Sequence, residues 1–169
     1  MDDFALWLEG LRDSILAVDF DTAHKHLNSI GWKIPVRDDD ALVLLGACIA
    51  SEVADYFGEY ARAREVLRPF ISSCRKAIED VRSGKKAKPH SLQGRGLLKQ
   101  QLWAILHWGL VRYREGNFDG ALGTFRLCRE VLDRYLIEDS NPCFGTAARL
   151  SYAVGLVHRQ CYQIGRAHV

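Results

Sequence analysis

Glu52 and Asp55 stand three residues apart in the run "ALVLLGACIASEVADY", a spacing that puts two carboxylates on one face of a helix. Paired carboxylates do general acid and base work when their surroundings push their pKa values apart; otherwise they form an anionic surface. No nucleophile with a base, no glycine fingerprint and no metal pair accompanies them in the sequence, so a non-enzymatic chain is expected, with no catalytic residue. The six histidines do not alter that expectation. His24 and His26 are two apart, which on a helix separates them by about 200°, and no pair four apart exists to hold zinc. His107 and His158 are isolated on their helices. Neither a metal nor a cofactor is expected.

The segment from Arg75 to Lys99 carries the strongest local charge. It holds eight Lys or Arg against Glu79 and Asp80, a net +6 in a chain whose formal charge is +2, so the remainder is acidic. Lys85, Lys86, Lys88 and Arg95 are the candidates for phosphate contacts in RNA, DNA or lipid. No aromatics interleave with them to stack on bases, and a solvated loop is the competing reading. "SGKK" lacks the upstream glycine of a phosphate loop and follows a helix where that motif follows a strand. The five cysteines form neither a CxxC nor an even framework. Cys48, Cys128 and Cys161 sit in apolar helical pattern, where a free thiol packs as a small hydrophobe, and reduced thiols are expected throughout.

The elements that must position these residues are helices. Apolar residues recur at helical spacing, as in Leu102, Ile105, Leu106, Gly109, Leu110 and Tyr113, and no segment alternates long enough for a half-buried strand. Helices are expected at 3–17, 20–30, 39–57, 60–82, 92–115, 118–136 and 143–163, about seven in an all-α chain. Asp38-Asp39-Asp40 reads as an N-cap with acids near the helix start. Composition places a basic loop at 83–96, rich in Gly, Ser, Lys and Pro. No apolar run reaches the roughly 20 residues of a membrane span, and the acidic start "MDDFALWLEG" is unlike a secretory signal, so a cytoplasmic address without membrane attachment is expected.

Three stretches repeat a pattern: "FDTAHKHL" from Phe20, "YARAREVL" from Tyr60 and "FDGALGTF" from Phe118. Each has an aromatic, then Ala three residues on (Ala23, Ala63, Ala121), then a large apolar residue four beyond (Leu27, Leu67, Phe125), all on one helix face. Gly58 and Gly116 precede two of the aromatics by two residues, as a tight helix–turn–helix joint requires. On these residues the chain resembles the tetratricopeptide repeat family, best in "WGLVRYREGNFDGALGTFRLC", where Gly109, Gly116, Phe118, Ala121, Phe125 and Cys128 fall at the family's spacings. Trp108 and Arg112 depart from the pattern, as does Leu11 in the first repeat, while Ser51 fills the small crossing slot of the second. The resemblance implies a right-handed α-solenoid of antiparallel helix pairs, with repeats near 3–34, 39–82 and 92–138 and an incomplete one at 143–163.

It also implies a concave groove lined by the first helix of each repeat, where peptides bind. Slot by slot this gives Glu52, Asp55 and Tyr56 in the second repeat and Trp103, Leu106, Leu110, Tyr113 and Arg114 in the third, with Tyr152 and Arg159 in the incomplete fourth. Trp103 and Leu106 have packing on an adjacent helix as an equal alternative. The Lys and Asn clamp with which some members grip a carboxylate terminus is absent from these slots. The expected function is non-catalytic capture of a protein or peptide, as a scaffold or as the sensory part of a larger chain; the alternative is a helical-repeat nucleic-acid binder using the basic 75–99 segment. The last six residues, Ile164 to Val169, can be encoded by ATC GGA AGA GCA CAC GTC, which is similar to a common short-read sequencing adapter. They are expected to be an artefactual tail, leaving a fragment cut inside its fourth repeat.

Overall fold

The computed structural model describes residues 19–37, 39–87 and 89–135, apart from the side chains of residue 92 and residues 132–135. The expected helices 3–17 and 143–163, the terminal segment 164–169, and the candidate residues Lys88, Tyr152 and Arg159 lie outside them. The described residues form five helices and no strand: α1 Phe20–Ser29, α2 Ala41–Tyr56, α3 Tyr60–Arg82, α4 Leu92–Arg114 and α5 Phe118–Tyr135.

Four of the five starts have a side-chain cap; α3 follows Glu59 without one. The Asp19 carboxylate accepts from the Thr22 amide at 2.9 Å, Asp40 from the amides of Leu42 and Val43 at 2.9 and 3.4 Å, Ser91 from Gly94 at 3.0 Å and Asn117 from Gly120 at 3.0 Å. These side chains satisfy amides that no preceding turn can pair. The stops are equally specific. After α2, Gly58 takes φ +74° and the Glu59 amide reaches back to the Ala54 carbonyl at 2.8 Å; after α4, Gly116 takes φ +84° and Asn117 reaches the Arg112 carbonyl at 2.9 Å. The two joints have the same hydrogen-bond pattern, the left-handed glycine closing the helix in each. After α1, Trp32 itself adopts φ +58°, held by its amide bond to the Leu27 carbonyl at 2.9 Å and its indole bond to Asn28 Oδ1 at 2.8 Å.

The basic connection is shorter than its composition implied. It spans 83–91, because Ser91 caps α4 and Gly94, Arg95 and Gly96 belong to the first turns of that helix. The Gly94 amide, which has no carbonyl one turn back within the helix, is the one that Ser91 Oγ caps at 3.0 Å.

The helices pack in two alternating layers. α2 and α4 lie side by side, α3 packs on both, α5 packs on α4 and touches α3, and α1 leans on α2. The repeated triplets supply the contacts. Ala23, Ala63 and Ala121 are completely buried, Leu27, Leu67 and Phe125 are buried below them, and the leading aromatics Phe20, Tyr60 and Phe118 are half-buried wedges. Ser51 and Gly109, the small crossing residues, are both buried, with Ser51 Oγ donating to the Ala63 carbonyl at 3.2 Å. Cys48, Cys74 and Cys128 are free and buried in the same core. Among the described residues no helix is long and apolar enough to cross a membrane.

Candidate functional site

The side-by-side packing of α2 and α4 turns two sequence stripes toward one another. On α2, Leu45, Cys48, Ile49 and Glu52 recur at three- and four-residue steps; on α4, Gln100, Trp103 and His107 do the same. Together they line a cavity of about 190 Å³. The Trp103 indole and His107 imidazole lie 5.9 Å apart, tilted by 33°, along one wall. Burial holds His107 neutral, its pKa lowered from 6.5 to about 4. Crowding by the surrounding helices raises the Glu52 carboxyl above its ordinary value, and the Asp55 charge one turn away adds to the effect. The Glu52 side chain still reaches solvent at the cavity mouth.

Asp55 is committed elsewhere. Arg114 Nε, arriving from the far end of α4, lies 2.8 Å from both its carboxylate oxygens and donates to Oδ2. Burial raises the Asp55 carboxyl, and Arg114 opposes that shift by its charge and its hydrogen bond. The bridge ties the two helices together at the face where both residues were expected to contact a partner. Beyond it, Tyr56 is exposed and stacks on Phe20 with ring centroids 4.3 Å apart and planes within 10°. Tyr113 is half-buried with its ring edge-on to Phe118 at 5.4 Å.

One expected groove residue, Leu106, belongs to the interior. Leu106 is completely buried in the core cluster, where α4 turns toward its neighbours, and presents no surface to a partner. Leu110 is half-buried and packs against the same core. Trp103 packs against the core, as the alternative reading expected, and also walls the cavity. His107, Gln100 and Cys48 were not foreseen as site residues; the step of three and four from Trp103 along α4 was the available signal for the first two.

Burial pushes the Cys48 thiol far above its ordinary range, so it carries no thiolate at neutral pH. Among the described residues no three of His, Cys, Asp and Glu gather as metal ligands would. Lys85 and Lys86 are exposed at the start of the α3–α4 connection, and Arg95 is exposed near the start of α4. Lys85 and Lys86 spend part of their field on Asp80, whose carboxyl is held below its ordinary value mainly by the hydrogen bond from Lys76. A larger recess of about 480 Å³ between α3, α4 and α5 brings Arg75 and Arg112 together with Glu79 and Asp119, so its charges cancel. In comparisons with family models, curated proteins and solved structures, the chain matches none of them.

Proposed function

We propose that the chain is a tetratricopeptide-like repeat array, a right-handed α-solenoid, that captures a peptide or protein partner on the α2–α4 face without catalysing a reaction, as a cytoplasmic scaffold or the interaction part of a larger protein. Three features support the repeat reading: the recurrence of the buried triplets, the matching hydrogen bonds at Gly58 and Gly116, and the alternation of helices between two layers. The binding reading is carried by one observation, a cavity between α2 and α4 walled by half-buried Trp103 with the Glu52 carboxylate at its mouth, on helices that also carry exposed Tyr56 and half-buried Tyr113. Aromatic side chains partly sunk in a surface are the usual anchors of interfaces.

The test is retention of a random peptide library on the immobilised chain. Retained peptides are expected to survive raised salt and to be lost on Tyr56→Ala and Trp103→Ala; Tyr56 is exposed, so its variant separates loss of binding from loss of fold. Retention of single-stranded RNA instead, falling steeply with salt and abolished by neutralising Lys85, Lys86 and Lys88, would favour the nucleic-acid reading.

A further inference from the structure

The α2–α4 cavity is small, its walls are apolar and its one charged group is unpaired. At about 190 Å³ it lies below the roughly 300 Å³ at which pockets begin to enclose a whole small molecule. One side chain fits that volume. Leu45, Ile49 and the Trp103 ring supply the apolar walls, while Gln100 and neutral His107 add polar atoms without charge. Among the described residues Glu52 has no ion pair and no hydrogen bond, whereas its neighbour Asp55 has Arg114. The Asp55–Arg114 pair cancels itself, so the field at the mouth is that of Glu52.

From these observations we infer that the cavity receives one cationic side chain of the partner, a lysine or arginine, with its alkyl stem against Trp103, Leu45 and Ile49 and its head at Glu52. The inference rests on the α2–α4 face being the peptide-binding face. Charge decides the occupant. An apolar side chain would strip water from the Glu52 carboxylate and give it no partner, and an acidic one would add repulsion. A cation restores the lost hydration with a charge-assisted hydrogen bond, and a flat indole face attracts ammonium and guanidinium groups. Lysine and arginine alone combine that head with a long alkyl stem suited to apolar walls.

The experiment selects peptides from one random library on the wild-type chain and, separately, on Glu52→Gln, which keeps the side chain's size and removes its charge. Wild-type selections are expected to share a lysine or arginine at one position, and the Glu52→Gln selections to lack that preference. Replacing the shared cation by norleucine should weaken binding to the wild type about tenfold or more, and to Glu52→Gln hardly at all. The inference is overturned, with the binding face intact, if peptides lost on Tyr56→Ala carry no common cation, or if norleucine costs the same on both chains. Failure of the wild type to retain any peptide overturns the binding face and the inference together.

Discussion

Gly109 shows how closely α4 and α5 approach. A methyl group built on it would stand 2.6 Å from Phe125 Cε1 and 3.1 Å from Thr124 Cγ2, and the Phe125 ring is only 1% exposed, with no room to swing away. Gly109→Ala is therefore expected to destabilise the chain by about 1–3 kcal/mol in urea unfolding, the usual cost of overpacking. Gly123→Ala provides the opposite sign: it sits exposed in α5 with nothing within 4 Å, and alanine should stabilise by roughly 0.5–1 kcal/mol through helix propensity. A residue-scale prediction also follows from His107. Its folded pKa of about 4 lies below the 6.5 of the free group, so between those values the unfolded chain binds the extra proton. Stability is then lost as pH falls from about 6.5 toward 4. Comparing unfolding at pH 7 and pH 5, His107→Gln should abolish about 1–2 kcal/mol of that loss. Glu52 acts with the opposite sign, because its raised folded pKa costs stability as pH rises above its ordinary value. An unchanged pH 7 to pH 5 difference in His107→Gln would show that the imidazole is not the group responsible.

Among the elements, the joints were the most legible part of the chain. Gly58 and Gly116, each two residues before an aromatic, fixed where α2 and α4 end, and the expected 60–82 coincides with α3. Where a cap or a left-handed glycine is written into the chain, the boundary is a local matter. The loop that composition places at 83–96 overlaps the helix expected at 92–115, and the helix prevails: Ser91 caps α4, and Gly94 and Gly96 fall inside that helix. At both joints a Cβ would meet nothing within 4 Å, so the whole cost of Gly58→Ala or Gly116→Ala comes from the backbone. Each should cost about 1–2 kcal/mol, measured by thermal or urea unfolding, with asparagine milder at both positions. Equal costs at the two sites would agree with two copies of one joint; a cost at one alone would mean that the shared hydrogen-bond pattern does not reflect shared energetics.

At the scale of the whole molecule, the proposed binding face depends on α2 and α4 packing side by side. Asp55 and Arg114 are 59 residues apart in the chain and meet through that packing. Periodicity could place Glu52, Trp103 and Tyr113 on the right helices, and the family resemblance could align them. Neither could show that Leu106 points between helices, or that Gln100 and His107 complete a cavity with Leu45 and Ile49. Those facts depend on the lateral offset of two helices, which no local pattern encodes. The most direct test of the binding face is amide and indole chemical-shift mapping of the full chain, titrated with a peptide retained from the random library. The expected result is a contiguous set of shifts at Glu52, Tyr56, Trp103 and Tyr113, including the Trp103 indole, with residues 83–91 unmoved. Shifts concentrated at Lys85, Lys86 and Arg95, with the α2–α4 face silent, would contradict it.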